Sequence, residues 1–238
     1  MKNREEIVTK LRNYYEENGI IPDENFNCLN KDKCNSQGIQ LAQGMQCHIG
    51  SNFGEVGRIK VLVVSLDCGG GIDNIAVRTQ TVEMGDNNPH MKKTMELIAD
   101  IMQFENKLES LRYYAMTNSC KCSRKGTDTS QLPDFFYEQC IEFKIKEIEL
   151  IEADIIYFQG KRALIGLNFE NLNNQTTGIF EYIKLLKIGT KKFYAVQCIH
   201  PSARGKHSQR KKTFYTEILP QINDYLREKL FLRSNTSI

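Results

Sequence analysis

The sequence lacks a long apolar run, and no stretch approaches the roughly 18 consecutive apolar residues that a membrane-spanning helix requires. It also lacks an apolar leader, because the residues from Met1 to Glu6 are mostly polar and lead into an amphipathic segment. From these absences we expect neither an integral membrane protein nor a secreted one. They predict a soluble, cytoplasmic protein without a membrane partner.

Strong net charge, internal repeats and low-complexity tracts are absent as well. The formal net charge is +3 over 238 residues, of which 40% are hydrophobic and 26% are charged. So small an excess does not by itself indicate a polyanionic partner. Length and composition are typical of one domain covering residues 1–238, in which an N-terminal helix and a cysteine-bearing loop (1–58) pack on an α/β core (59–230).

Positive charge is concentrated in one segment near the C-terminus. The stretch from Arg204 to Lys212 holds five formal positive charges and no acidic residue. Such a density suits contact with several phosphates of a nucleic acid. The alternative is the solvated start of a helix.

Alternating strand and helix patterns predict an α/β fold. Apolar runs typical of buried parallel strands occur at 59–66, 113–119, 154–158 and 191–199, with an edge segment at 182–186. Helical periodicity occurs at 5–17, 89–103, 134–152 and 209–229. We therefore expect a three-layer α/β/α sandwich around a central, mainly parallel four-stranded sheet.

The chain has eight cysteines, which a reducing cytosol keeps from forming disulfides. Clustered cysteines in such a protein are candidate ligands of a metal or an iron-sulfur cluster, since thiolates suit both zinc and iron. Three of them lie in residues 20–58, a stretch without periodicity that needs an internal staple. The alternative is that they are unligated thiols in the core.

Polar residues follow three of the predicted strands, where apolar packing does not require them. Asp67 precedes Cys68 and three glycines, Asn118 ends the second strand, and His200 begins the segment His-Pro-Ser-Ala-Arg. Ligands of parallel α/β sheets bind at the carboxyl ends of the strands. The three loops therefore predict a single pocket.

These segments resemble the motifs of the uracil-DNA glycosylase superfamily, in its iron-sulfur-containing branch. The stretch Met116-Thr-Asn-Ser-Cys-Lys-Cys122 is similar to the Thr-Asn-Val-Val-Lys-Cys segment of that branch, and His200-Pro-Ser202 matches its His-Pro-Ser motif. Val63-Val-Ser-Leu-Asp-Cys-Gly69 stands where the first motif of the superfamily follows strand one. The resemblance spans roughly residues 26–226 and implies a single glycosylase domain with a uracil-DNA glycosylase-like fold.

The resemblance also implies a [4Fe-4S] cluster, with zinc as the less favoured occupant. Members of the branch take two ligands from an N-terminal loop, one from the segment after the Asn-containing strand and one from the next helix. Cys122 and Cys140 fit the second pair. For the first pair we choose Cys28 and Cys34, although their spacing is wider than the usual one, so Cys47 remains a competitor for one of these two positions.

The resemblance assigns catalysis to Asp67 and His200. The Asp67 carboxylate would orient water and stabilise the oxocarbenium character of the sugar, and His200 would donate to a base oxygen that gains negative charge. The alternative for Asp67 is a turn-capping role before the glycines. Asn118 would read the polar edge of an extruded base, with turn formation as its alternative.

Further residues are assigned to binding by their place in the motifs. The base-binding set adds Cys68, Gly69, Gly70 and His90 to Asn118. The DNA-binding set consists of Ser202, Arg204, Lys206 and Arg210, in a loop that would enter the duplex and contact its phosphates.

The first loop departs from the uracil-specific pattern, and this departure bears on the substrate. Uracil-specific members have an aromatic or bulky residue there, whereas this chain has Cys68 followed by Gly69, Gly70 and Gly71. Glycines remove side-chain volume and expose backbone amides, so we expect a wider pocket and a bulkier base, such as the (glucosyl-)hydroxymethylcytosine of phage DNA. The alternatives are a repair glycosylase for uracil or other deaminated bases, a non-catalytic sensor of modified DNA that carries the cluster, and a zinc-stapled interaction domain.

Overall fold

The computed structural model describes residues 3–22, 25–66, 89–124 and 132–235. The helices within these ranges are α1 (Arg4–Glu17), α2 (Lys31–Asn35), α3 (Pro89–Met102), α4 (Asp134–Gln139), α5 (Ile141–Ile151), α6 (Ser208–Thr213) and α7 (Leu219–Asn235). The strands are β1 (Leu41–Gly44), β2 (His48–Ile49), β3 (Val61–Ser65), β4 (Tyr114–Asn118), β5 (Cys122–Arg124), β6 (Ile155–Gln159), β7 (Phe169–Asn171), β8 (Ile183–Ile188) and β9 (Lys191–Cys198). A π-helical turn, Phe214–Ile218, joins α6 to α7.

The described strands form a mixed seven-stranded sheet in the order β2-β4-β3-β6-β9-β8-β7 and a small antiparallel pair, β1 with β5. The prediction of an α/β fold is confirmed, but the prediction of a four-stranded sheet is wrong. Four strands, β4, β3, β6 and β9, are mutually parallel. Antiparallel pairing extends this group at both edges. At one edge β2 pairs with β4, and at the other β8 pairs with β9 and β7 pairs with β8.

The two faces of the sheet are covered by separate apolar cores. In β3, Leu62 and Val64 belong to a core that contains residues of α1 and α5. Val61 and Val63 belong to the opposite core, with residues of α3 and α7. Because successive side chains of a strand point to opposite faces, this division makes a layer of helices on each side of the sheet.

Two further predictions are corrected at the level of the elements. The helical pattern of 134–152 is divided at Cys140, which lies between the two helices as the C-cap of α4 and the N-cap of α5. The stretch 20–58, predicted to be a long loop, contains α2, β1 and β2. These elements are too short for a periodic apolar pattern to reveal them.

Among the described residues, no helix combines the length and the apolar character needed to cross a bilayer.

Candidate functional site

The carboxyl ends of the four parallel strands open onto one edge of the sheet, where several of the expected site residues lie. Asn118 is the last residue of β4 and pairs in register with Ser65, the last residue of β3. Gln159 ends β6 and pairs with Cys198, the last residue of β9. His200 follows two positions later, so this edge gathers the ends of β4, β3, β6 and β9.

His200 has one ring nitrogen fixed by the backbone that follows it. Its Nδ1 accepts a hydrogen bond from the Ser202 N–H at 3.2 Å. An imidazole nitrogen that accepts a hydrogen bond carries no hydrogen, so the neutral ring is protonated at Nε2. His200 thereby offers an Nε2–H donor, a group that can stabilise negative charge on a bound molecule.

Gly160 makes room for His200 against the end of β3. Its φ of +101° and ψ of 157° lie in a region that only glycine adopts readily. A Cβ added there would lie 3.3 Å from the Cβ of His200 and 3.3 Å from Cδ2 of Leu66. The glycine therefore allows close packing of the His200 segment beside the residue that precedes Asp67.

Two side chains of the C-terminal helical region hold the His200 segment from its other side. The Tyr215 hydroxyl donates to the Ile199 carbonyl at 2.8 Å, and Lys211 Nζ donates to the Ala203 carbonyl at 2.8 Å. Tyr215 lies in the π-helical turn, a distortion that often occurs near functional sites. The backbone on either side of His200 is thus attached to the helical region that carries the basic residues.

His90, at the beginning of α3, lies beside His200. The centroids of the two rings are 5.2 Å apart and their planes are inclined at 44°. His90 Nε2 lies 2.6 Å from Gln159 Oε1 and 3.2 Å from Ser65 Oγ. Burial lowers the pKa of His90, although the hydrogen bond to Gln159 acts in the opposite direction.

The segment around Asn118 is anchored by a buried polar network that the sequence did not predict. Thr117 Oγ1 and Lys121 Nζ donate to Glu147 Oε2 at 2.7 and 2.5 Å. The Tyr15 hydroxyl donates to the other oxygen of Glu147. All four side chains are buried, so the backbone on both sides of half-buried Asn118 is fixed to α5 and α1.

The cysteines from both predicted pairs interact with one another. Burial raises the pKa of the Cys28 thiol and raises that of Cys34 to about 12, and repulsion from a Cys140 thiolate adds to both shifts. At Cys122, a hydrogen bond with Cys120 opposes the shift, while burial and repulsion from Cys140, Cys34 and Cys28 bring the pKa to about 11. The four residues come from three separate parts of the chain: the N-terminal stretch that holds Cys28 and Cys34, the segment after Asn118, and the junction of α4 and α5.

Two other cysteines bear on the choice of ligands. Cys120 has its Sγ 3.6 Å from Cys122 Sγ and is therefore a fifth thiol beside the group. Cys47 has Glu147, Lys121 and Thr117 as its electrostatic neighbours instead. Cys28 and Cys34 thus interact electrostatically with Cys122 and Cys140, whereas the main electrostatic neighbours of Cys47 are Glu147 and Lys121.

The donor chemistry of this group fits a thiophilic metal or cluster better than a single hard cation. Cys140 Sγ also accepts the Lys121 N–H at 3.2 Å, an interaction that would stabilise a thiolate. Among the described residues, no three cysteine, histidine or carboxylate side chains have the arrangement of a metal-ion site. A single zinc ion needs four sulfurs within about 2.3 Å of one point, whereas a cubane cluster holds its thiolates farther apart.

The remaining predicted residues divide into two groups. Asp67, Cys68, Gly69, Gly70 and Gly71 lie outside the described residues. The predicted DNA-binding residues Ser202, Arg204, Lys206 and Arg210 lead from the His200 segment into α6. All four side chains are exposed.

Sequence reasoning missed Ser65 and Gln159, which contact His90. Both are polar residues at the end of an apolar strand, and this is the signal that identified Asn118. It is obscured at Ser65 because Leu66 continues the apolar run. At Gln159 it is obscured because the following Gly160 indicates the start of a helix.

No protein-family model matches the chain, and no curated protein matches it.

Proposed function

We propose that this protein is a DNA glycosylase, which rotates a base out of DNA and hydrolyses its N-glycosidic bond. The observation that carries the proposal is the common location of Asn118 and His200 at the carboxyl edge of the parallel strands, in the order of the glycosylase motifs. The Nε2–H tautomer of His200 supports it further. An amide and an imidazole N–H are suitable partners for the polar edge of a base.

The proposed reaction uses water as its only co-substrate. The C1′–N bond breaks, its electron pair leaves with the base, and the water oxygen bonds to C1′ to give an abasic site. His200 would donate from Nε2 to the oxygen on which the base accumulates charge. Asp67 would accept the proton of the attacking water and stabilise the cationic sugar.

The proposed substrate is a bulky modified base, of the class of hydroxymethylated or glucosylated cytosine. The support is the run Gly69-Gly-Gly71, which replaces the bulky side chain of uracil-specific enzymes. A duplex panel containing uracil, hypoxanthine, hydroxymethylcytosine and glucosylated hydroxymethylcytosine, followed by alkaline cleavage of abasic sites, tests this preference. We expect cleavage at the modified cytosines. Cleavage at uracil or hypoxanthine alone would favour a repair glycosylase for deaminated bases.

The proposed DNA interface is the segment from Ser202 to Arg210. Three cationic side chains, Arg204, Lys206 and Arg210, are available to contact phosphates beside the extruded base. A protein that binds modified duplexes through this segment and releases no base would be a sensor. The Asp67→Asn variant separates the two functions, because a glycosylase loses its rate while it keeps its affinity for DNA.

We also propose that Cys28, Cys34, Cys122 and Cys140 hold a [4Fe-4S] cluster. The group would staple the N-terminal segment to the start of α5 and to the segment after Asn118. Its test is iron, sulfide and zinc analysis of anaerobically purified protein, with serine variants of each cysteine. Iron should be lost in the four variants and retained in Cys47→Ser. Loss of iron in Cys47→Ser with retention in Cys34→Ser would show that Cys47 is a ligand and Cys34 is not.

A further inference from the structure

The side chains that surround His90 form a chain of hydrogen bonds in which each group donates to the next. Gln159 Nε2 donates to Thr94 Oγ1 at 2.9 Å, and Thr94 Oγ1 donates to the His90 carbonyl at 3.1 Å. This orientation of the amide turns Gln159 Oε1 toward β3 and α3. There it accepts the Ser65 hydroxyl at 2.8 Å.

Gln159 Oε1 is an acceptor only, so the His90 nitrogen 2.6 Å away must supply the hydrogen. The His90 ring is thereby fixed as its Nε2–H tautomer. Gln159 and Thr94 are completely buried, so neither exchanges these partners for bulk water. An unpaired polar group in such a place is costly, and this cost maintains the order of the network.

The network acts on the proposed site through the contact between His90 and His200. The His90 ring, held at Nε2, lies with its centroid 5.2 Å from that of the His200 ring. Gly160 also packs against His200, with little room for a further methyl group. His200 thus has an oriented imidazole and a close backbone contact as neighbours, while Ser202 N–H sets its tautomer.

We propose that Gln159 is a positioning residue that sets the orientation of His200 through His90. This assignment changes the role of His90 from a base-reading residue to part of the support of His200. Gln159 itself would touch neither the base nor the sugar. The kinetic test of this role rests on the proposed function, whereas the NMR test does not.

The test compares Gln159→Leu with Gln197→Leu, which makes the same substitution at a half-buried position on β9. Imidazole nitrogen NMR of the complete protein should show Nε2–H tautomers for His90 and His200 in the parent protein. Gln159→Leu should shift both sets of resonances, and Gln197→Leu should leave them unchanged. Unchanged His200 resonances in Gln159→Leu would overturn the proposal.

Base-release kinetics supply the second readout. Gln159→Leu should lower kcat between about 10-fold and 100-fold with KM changed less than about twofold, because small displacements of a catalytic group cost rates of this order. A loss confined to KM would overturn the positioning role. If the parent protein releases no base from any duplex, the proposed function fails, and the NMR comparison still decides the positioning role.

Thr94→Val is a second variant of the same network, and it tests the proposal if Gln159→Leu does not fold. It removes the acceptor of Gln159 Nε2 with little change in shape and frees the amide to rotate. The same His200 resonances should shift to a smaller extent, and kcat should fall less than in Gln159→Leu. A Thr94→Val protein identical to the parent in both readouts would contradict the directed network.

Discussion

At the residue scale, the Nδ1 atom of His200 accepts the Ser202 N–H at 3.2 Å, which leaves the Nε2 hydrogen as its donor. A donor directed at developing negative charge in a water-poor site stabilises a transition state more than a ground state. The sequence predicted His200 and Asn118 because each stands in a motif that follows or ends a predicted strand, and it also assigned His90, at the start of a predicted helix, to base binding. It could not predict the tautomer, which depends on backbone geometry.

We expect His200→Asn to lower the rate of base release by about 10²- to 10³-fold, the usual effect of removing one donor of this kind. The measurement is single-turnover excision with enzyme in excess, on the best substrate of the duplex panel. Affinity for the duplex serves as the internal control and should stay within about twofold. A variant that retains the parent rate would remove His200 from the proposed mechanism.

The buried pair of Lys121 and Glu147 is the second feature of this scale, with 1% and 0% of the two side chains exposed. Glu147→Gln leaves the Lys121 ammonium without its charged partner, and we expect a loss of about 3–5 kcal/mol in the free energy of unfolding. Urea denaturation followed by circular dichroism measures this loss.

The matched control is Glu149→Gln, two positions along α5, whose partially exposed carboxylate pairs with Lys146 at 3.6 Å. Its effect should be within about 0.5 kcal/mol, as is usual for surface substitutions. Equal effects of the two variants would show that the buried pair contributes no more than an exposed one.

At the element scale, the parallel strands β4, β3, β6 and β9 were predictable because buried parallel strands have nearly continuous apolar sequences. The edge strands β2 and β7 were not, since two or three residues establish no alternation. The break between α4 and α5 was missed for a related reason. Cys140 is apolar enough to continue a helical pattern even though the backbone turns there.

Gly160 begins the connection that follows β6. We expect Gly160→Ala to lower the free energy of unfolding by about 1–3 kcal/mol through backbone strain and to reduce the rate of base release by displacing His200. Denaturant titration and single-turnover kinetics measure the two effects.

Gly189→Ala is its matched control, because Gly189 also has a positive φ, +56°, but an added Cβ there meets nothing within 4 Å. It should lose stability and keep its rate. A Gly160→Ala enzyme with an unchanged rate would show that the close packing against His200 is not needed.

The segment that leads into α6 carries the cations of the proposed DNA interface. Replacing Arg204, Lys206 or Arg210 by Ala should weaken DNA binding for every duplex alike. Each substitution should reduce the slope of log K against log salt by about 0.9 for each phosphate that is no longer neutralised. Fluorescence anisotropy at several salt concentrations measures the slope.

The matched control is Lys187→Ala, which removes a cation from β8. Lys187 lies opposite Lys192 in the sheet, near the beginning of β9, whereas His200 follows the end of that strand. It should leave the slope unchanged. An equal change at Lys187 would indicate general electrostatic attraction in place of a defined interface.

At the scale of the whole molecule, two apolar cores fix the sheet between layers of helices, and the parallel direction of four strands brings their polar ends to one edge. The class and the covered faces follow from the alternation of strand and helix patterns in the sequence. The grouping of Cys28 and Cys34 with Cys122 and Cys140 is a long-range property, so spacing alone left Cys47 as an alternative. In the structure, Glu147 and Lys121 are the main charged neighbours of Cys47.

Mass spectrometry of the released products shows whether the protein cuts the bond between a base and its sugar. Stoichiometric parent protein, or the Asp67→Asn variant in parallel, is mixed with duplexes that carry hydroxymethylcytosine, its glucosylated form, uracil or hypoxanthine. We predict a free modified base and an equal amount of abasic strand from the parent protein, and neither product from the variant at the same time. Tight binding of these duplexes and of those carrying uracil or hypoxanthine, with no free base from any of them, would contradict the account.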